Sequence, residues 1–414
     1  MNQLALHGGT PAKTTPYTKG KRFDGNELRY LQEALEQNTL FYWQGKLVKR
    51  FTAAFAALCG AKHCVAASSG TAGIHVALGA CGVTAGDEVI TAPITDMGTV
   101  IGILYQNAVP VFADVCPDTH NMDPADIERK ITDKTKAILV VHLAGHAADM
   151  DSIMAVARRH GLRVIEDCAQ SYMCYYKGKM VGTIGDVGCF SLNDFKHISA
   201  GDGGMIVTND DALYARAMLF ADKGYNRLEG RTVLRSVEAL CPNYRMTELQ
   251  GAVGLAQLER LAWICERRRQ YGEALSAALS QLPGIQPIRV LDDCVSSYWF
   301  YTFRVDEAAA GVSRDAFAEA LSAEGVPNQR GYIPACVYEY DVFTNQNAYP
   351  GSHCPFDCAL NGNKHEYAKG LCPTAEAVLA ATIYLSVNEF FSNADLAETI
   401  EAVRKVSAYY AAQR

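Results

Sequence analysis

Short apolar runs and amphipathic stretches alternate through the middle of this chain, and that rhythm predicts its architecture. Runs at 64–67, 88–91, 109–113, 137–143, 163–165, 187–191 and 204–208 place apolar residues on consecutive positions. A strand covered on both faces needs that pattern, whereas a strand facing water alternates. Between the runs, segments 73–80, 124–130 and 151–160 read as helices, giving the strand–helix succession of an α/β protein with a mostly parallel central sheet. A charged, Leu- and Ala-rich stretch over 247–279 then predicts one long helix. After Leu282-Pro283-Gly284 the texture changes to a strand over 297–305, a helix over 313–324, an irregular stretch rich in Pro, Gly, Asn and Cys, and a last helix over 393–411. These changes divide the chain into an N-terminal arm (1–24), a large α/β unit (25–280) and a smaller C-terminal α+β unit (281–414), with a boundary near Ser280. No internal repeat or low-complexity tract interrupts them.

Composition narrows the partners. With 414 residues and 49% hydrophobic content the chain can bury a large core, which excludes disorder. Its 45 acidic and 38 basic side chains leave a formal charge of −7, so there is no positive excess to attract a phosphate backbone, and nucleic acid is not expected as a partner. No apolar run approaches the roughly 18–20 residues that span a bilayer, and the first residues lack a basic start followed by an apolar stretch. A cytoplasmic protein without membrane attachment is expected. The 14 cysteines are dispersed along a long chain and read as reduced thiols. His353, Cys354 and Cys358, with Cys336, His365 and Cys372 nearby, lack the paired CxxC spacing of a zinc site, and no metal is expected.

Three segments of the α/β unit carry candidate chemistry. Ser68-Ser69-Gly70-Thr71-Ala72-Gly73 follows a predicted strand and opens a helix, where free N–H groups and the helix dipole favour an anion; the same hydroxyls also serve as ordinary helix caps. Val164-Ile165-Glu166-Asp167 ends an apolar strand in two carboxylates that strand geometry sends to opposite faces, at the sheet edge where open α/β folds bind ligands. Cys189 to Lys196, followed by Gly201-Asp202-Gly203-Gly204, puts a lysine just beyond a strand and before a glycine-rich turn. Alone, such a lysine reads as a solvated charge. Together the three fit pyridoxal 5'-phosphate (PLP), which needs an amine for a Schiff base, a carboxylate for its ring nitrogen and a cradle for its phosphate.

At these residues the sequence resembles the DegT/StrS type of fold-type I aminotransferases, enzymes that aminate keto-sugars and cyclitol ketones. The resemblance runs through SSGTAGIHVAL from Ser68, GDEVI from Gly86, VPVFADV from Val109, VVHLAGHAADMD from Val140, VIEDCAQS from Val164, GDVGCFSLNDFKHISAGDGGMIVTND from Gly185 and NYRMTELQGAVGLAQLERL from Asn243. It implies a PLP enzyme cycling through the pyridoxamine form. Lys196 is similar to the Schiff-base lysine and Asp167 to the partner of the ring nitrogen, the two catalytic residues. Gly70, Thr71 and Ser191 match phosphate-binding positions, Ser69 and Asp96 stand with them among the expected cofactor contacts, and Gln170 occupies the position beside the phenolic oxygen. Asn243 matches the asparagine that reaches the neighbouring subunit's phosphate, which implies a homodimer with shared sites.

One position departs from the pattern. Where relatives place a bulky side chain on the cofactor ring, Pro93-Ile94-Thr95-Asp96-Met97-Gly98 puts Asp96, so either Met97 or another residue covers the ring, or Asp96 addresses the substrate. The resemblance further implies an amino group moving from glutamate or glutamine to a cyclitol, a nucleotide-linked keto-sugar or a free or phosphorylated keto-sugar, with ping-pong kinetics. Gln170, in EDCAQ, inclines the choice to the cyclitol and non-nucleotide group. Arg227, Arg231 and Tyr332 are candidate substrate contacts, the arginines also reading as solvated loop residues. Two other outcomes share the scaffold. Sugar dehydratases replace the lysine by histidine, and Lys196 stands against that reading although His197 adjoins it; aromatising synthases and a non-catalytic sensor are the remaining alternatives.

Overall fold

The computed structural model describes residues 3–228 and 239–413; Arg231 lies outside them. A seven-stranded sheet is built from β1 (His63–Ala67), β2 (Glu88–Thr91), β3 (Val109–Phe112), β4 (Thr135–Val141), β5 (Arg163–Asp167), β6 (Val187–Ser191) and β7 (Gly204–Thr208), in the order β1-β7-β6-β5-β4-β2-β3. Pairing is parallel from β6 through β5, β4 and β2 to β3, and β7 runs antiparallel to both β6 and β1. All the strands except β7 therefore deliver their C-terminal ends to one edge. Consecutive apolar residues feed two separate cores: Ala137 and Leu139 of β4 face one, Ile138 and Val140 the other. That two-sided burial is what the unbroken apolar runs required.

Helices α1 (Glu27–Glu36), α2 (Leu47–Cys59), α3 (Gly70–Ala80), α4 (Met97–Tyr105), α5 (Pro124–Arg129), α6 (Met150–His160), α7 (Asp211–Ala221), α8 (Glu248–Leu258) and α9 (Leu261–Leu279) surround this sheet. The single helix expected over 247–279 is two helices. Leu258 to Leu261 carries no Pro or Gly, so the break has a tertiary cause. Glu259 accepts hydrogen bonds from Tyr30 Oη and Asn26 Nδ2 (2.6 Å each), and Arg260 Nη1 donates to the Arg22 carbonyl (2.6 Å). Redirected at this point, α9 sends Tyr271, Leu275 and Leu279 into a third core.

That core lies against a four-stranded antiparallel sheet, β8 (Ile285–Pro287), β9 (Phe300–Val305), β10 (Gln329–Arg330) and β11 (Thr382–Ser386), ordered β8-β9-β11-β10. Helices α10 (Arg314–Ala323), α11 (Pro373–Ala381) and α12 (Asn393–Ala411) accompany it. The strand expected from 297 begins at Phe300, because Tyr298 takes a left-handed φ of 43° and turns the chain first. The two expected units share cores: Tyr338, Phe343 and Tyr367 return to the first core, beside Phe112.

The N-terminal arm is fastened to the C-terminal unit. Leu4 is fully buried in the third core, and the N–H groups of Ala5 and Ala12 donate to the Glu324 carboxylate (2.8 Å each). Lys13 Nζ pairs with Asp395 (2.7 Å) and Glu398 (2.8 Å) on α12. At the opposite end of the sheet from the strand C-termini, Glu88 accepts hydrogen bonds from Asn363 Nδ2 (2.7 Å) and Thr132 Oγ1 (2.6 Å) and meets His365 Nε2 at 3.0 Å. The histidines and cysteines weighed as zinc ligands go to different places: His365 to Glu88, His353 to the Gln346 carbonyl, and the Cys372 thiol to the Phe112 carbonyl. No helix among the described residues is long and apolar enough to cross a membrane.

Candidate active site

The shared strand edge gathers the three candidate segments into one cavity of about 230 Å³. From β1 the chain passes into α3 with Ser69 as N-cap, its Oγ accepting from Ala72 N–H at 3.0 Å. This leaves the first N–H groups of α3 directed at the cavity, the arrangement that binds anions. Gly70 is required here. A Cβ on it would stand 2.6 Å from Ser191 Cβ and 2.9 Å from Ser191 Oγ, so only glycine lets the end of β6 close against the start of α3. Thr71 completes this wall.

Asp96 forms the adjoining wall as the N-cap of α4, its Oδ1 accepting from Gly98 N–H at 2.8 Å. A Cβ on Gly98 would meet Thr71 Oγ1 at 2.6 Å, so two helix N-termini meet across the cavity. A capping role accounts for a carboxylate where a bulky side chain was expected. Met97 packs against the first core.

Asp167, at the end of β5, is 5% exposed. Thr99 Oγ1 donates to its Oδ2 (2.7 Å) and Ala169 N–H to its Oδ1 (3.0 Å). Burial outweighs these bonds and the nearby Lys196 charge, pushing the Asp167 carboxyl above its ordinary range. Glu166 takes the opposite face, where Gly182, Ile184 and Gly185 donate backbone N–H groups to it and His142 Nε2 lies 3.0 Å away.

Lys196 follows β6 and is 9% exposed. Burial pushes its amine below the usual lysine range, opposed by the charges of Asp167 and Asp96. Its Nζ sits 3.9 Å from the centre of the Trp299 indole ring, a cation–π contact. Trp299 is held there at both ends: its Nε1–H donates to the Phe195 carbonyl (2.7 Å), and its backbone N–H to the Ala144 carbonyl (2.9 Å). Ala144 itself adopts a left-handed φ of 60° and donates its N–H to Gln170 Oε1 at 2.7 Å. Gln170 Nε2 in turn donates to Tyr332 Oη at 3.1 Å. Lys196, Asp96 and Asn193 also line a neighbouring cavity of about 430 Å³, which Trp299 and Tyr332 wall.

The first cavity thus brings together Ser69, Gly70, Thr71 and Asp96 with Asp167, Gln170, Ser191 and Lys196, and Tyr332 stands in the second. Arg227 and Asn243 are elsewhere in the chain. Arg227 pairs with buried Asp222 beside a separate cavity of about 520 Å³, and Asp222 also takes Arg245 at 2.6 Å and Tyr42 Oη at 2.7 Å. Asn243 is exposed and bridges through its backbone to Asp222. Thr99 and Trp299 are not among the residues that the sequence pattern singles out. Thr99 stands three residues after the helix-capping Asp96, a spacing that was legible; nothing local marks Trp299, which reaches the lysine through a long-range turn.

Sheet and cavity define an α/β protein with a buried lysine amine and a buried acid lining one cavity. The chain belongs to the DegT/DnrJ/EryC1/StrS aminotransferase family, whose family model matches residues 21–360; it is an aminotransferase. It is 37% identical over 355 residues to the L-glutamine:2-deoxy-scyllo-inosose aminotransferase of Micromonospora echinospora, covering 81% of this chain and 83% of that one. It is 39% identical over 316 residues to the GDP-perosamine synthase of Caulobacter vibrioides, covering 76% and 83% respectively. Among solved structures, an aminotransferase from Psychrobacter cryohalolentis superposes with a TM-score of 0.82 at 28% identity, covering 96% of this chain and all of that one.

Proposed function

We propose that this aminotransferase uses PLP to carry an amino group from glutamine or glutamate to the ketone of a cyclitol or keto-sugar. The observation that supports it most is the placement of a buried amine, Lys196, and a buried acid, Asp167, in one cavity with the N-terminus of α3. The donor set fits the cofactor: an amine, a carboxylate and an anion cradle that a Cβ at residue 70 would fill. When bound there, PLP supplies an aldehyde for the amine and a ring that takes up the electron pair released at the donor's α-carbon.

The protein's own part follows. Ser69, Gly70, Thr71 and Ser191 would hold the phosphate with N–H and hydroxyl donors. Asp167, held above its ordinary range by burial, would become a better anion once a ring cation lay against it, and so would keep the ring nitrogen protonated. Gln170, clamped between Ala144 and Tyr332, presents a fixed amide beside the ring. Lys196, its amine eased toward the neutral form by burial, takes and returns the proton at the reacting carbon. Glutamine as donor and a cyclitol as acceptor agree with the name of the Micromonospora relative, and a sugar agrees with that of the Caulobacter one. Asn243 and Arg227, outside the Lys196 cavity of their own chain, agree with a homodimer in which one chain completes its partner's site; a cytoplasmic location belongs to the same reading.

The test is a half-reaction screen. Glutamine or glutamate should bleach the visible band of the PLP-loaded protein with release of a keto acid, and a cyclitol or sugar ketone should restore it. Lys196→Ala should lose the borohydride-fixed cofactor adduct seen by intact mass, and Asp167→Asn should keep cofactor while transfer falls by about two orders of magnitude or more. An adduct retained in Lys196→Ala, or no ketone of either class restoring the band, would overturn the proposal.

A further inference from the structure

We propose that Arg22 binds the carboxylate of the amino donor, as the charged end of the cavity beside Lys196. The inference rests on the transamination proposed above and assigns its donor site.

Arg22 comes from the arm ahead of α1, and its position is fixed. Its backbone carbonyl accepts from Arg260 Nη1 (2.6 Å) and Gln257 Nε2 (3.0 Å), while its guanidinium donates to the carbonyls of Asp194 and Lys196. The guanidinium is thus tied to the backbone of the residue that carries the reactive amine. A guanidinium offers five N–H donors, and those two carbonyls leave capacity over; Nε is buried with no partner. Arg22 lines the 430 Å³ cavity together with Lys196, Trp299 and Tyr332.

Charge sets Arg22 apart from the other guanidiniums. Arg268, on the same cavity, is spent on Glu389 (2.8 Å), and Arg227 and Arg245 are spent on Asp222. The acids whose charge reaches Arg22 are Asp194 and Glu389. Asp194 accepts from Ser199 Oγ (3.0 Å), and Glu389 is held by Arg268. Among the described residues no carboxylate forms an ion pair with Arg22. A largely desolvated guanidinium without a counter-ion is costly and is repaid by an anionic ligand. Every α-amino acid donor brings a carboxylate within a few bonds of the amine that must reach Lys196. A phosphorylated acceptor also carries an anion, but Asp96 on the same wall opposes a doubly charged group, and of the two other cations on the cavity Arg268 is paired with Glu389 while Lys196 is the reacting amine.

The experiment compares wild type, Arg22→Met and Arg22→Lys as PLP-loaded proteins, following each half-reaction separately by stopped flow. Arg22→Met should raise the donor concentration needed for half-maximal bleaching at least tenfold, leave the resting visible band in place and leave the ketone half-reaction within about twofold; Arg22→Lys should recover part of the donor affinity. Calorimetry with glutarate, an unreactive dicarboxylate, gives a readout without turnover: cofactor-free wild type should bind it, and Arg22→Met should bind at least tenfold more weakly. An unchanged donor dependence overturns the assignment. So does a defect confined to the ketone half-reaction, which would give Arg22 to the acceptor, or loss of the resting band, which would give it to holding the lysine loop. A wild type that no amino acid bleaches refutes transamination instead, while glutarate binding still reads Arg22.

Discussion

Replacing Thr99 by valine removes a donor from Asp167 and a partner from the buried Thr95 hydroxyl, which lies 2.6 Å from Thr99 Oγ1. Thr99 is 2% exposed, and valine keeps its shape, so packing at the start of α4 is preserved. Asp167 loses the 2.7 Å bond to its Oδ2 and keeps the Ala169 N–H and the Lys196 charge as support, whereas the lost Thr95 bond joins two neutral hydroxyls and carries no pH dependence. A hydrogen bond to a charged group contributes about 1.5–3 kcal/mol. Because burial already holds the Asp167 carboxyl above its ordinary range, losing the bond pushes it higher. The sign of the pH effect follows: a raised carboxyl pKa penalises the folded state where the group must ionise, and the penalty fades as pH falls toward the unfolded value of about 4. Urea unfolding of the cofactor-free protein should therefore show Thr99→Val destabilised by about 1.5–3 kcal/mol at pH 7.5, shrinking as pH approaches 4. In an Asp167→Asn background, where the Thr95 bond is lost equally, the cost should be smaller by about 1–1.5 kcal/mol, the difference between a charged and a neutral bond. Equal, pH-independent costs in both backgrounds would mean that Thr99 acts through packing and its bond to Thr95, not through Asp167.

Gly70→Ala drives a methyl to within 2.9 Å of Ser191 Cβ and Oγ, so melting should report a loss of about 1–3 kcal/mol together with weaker PLP retention on dialysis; normal retention would remove the cradle from its role. Glu88 has its pKa lowered to about 2 by the His365, Asn363 and Thr132 contacts, although burial opposes them. That depression contributes roughly 3 kcal/mol, complete above the unfolded value near 4.3 and lost as pH falls through about 2, so Glu88→Gln should flatten acid unfolding curves in that window. For the shared site, mixing Asn243→Ala with Lys196→Ala chains should regain activity in hybrid dimers, and inactivity of purified hybrids would assign Asn243 to its own subunit.

The strands were legible because burial on both faces forces continuous apolar runs, and every strand of the large sheet lies within two residues of its expected ends. Helix α4 was not, since MGTVIGILY is apolar on all sides and has no amphipathic period to read. In the site, Asp167 and Lys196 could be found from strand-end position, and Gly70 from its place between a strand and a helix. Asp96 lines the cavity, but its capping bond to Gly98 depends on where α4 begins, a boundary the sequence blurs. Trp299 and Arg22 arrive from the second sheet and the arm, and only long-range packing brings them to the lysine.

The arm has a consequence for biogenesis. Leu4 and Lys13 leave the ribosome early, yet Lys13 finds Asp395 and Glu398 only when α12 has been made. At about 5–20 residues per second that interval is on the order of half a minute, during which a nascent chain carries this tail undocked. Docking of Lys13 therefore waits for α12, and a chain halted before α12 is left with a lysine that has no buried counter-charge waiting for it.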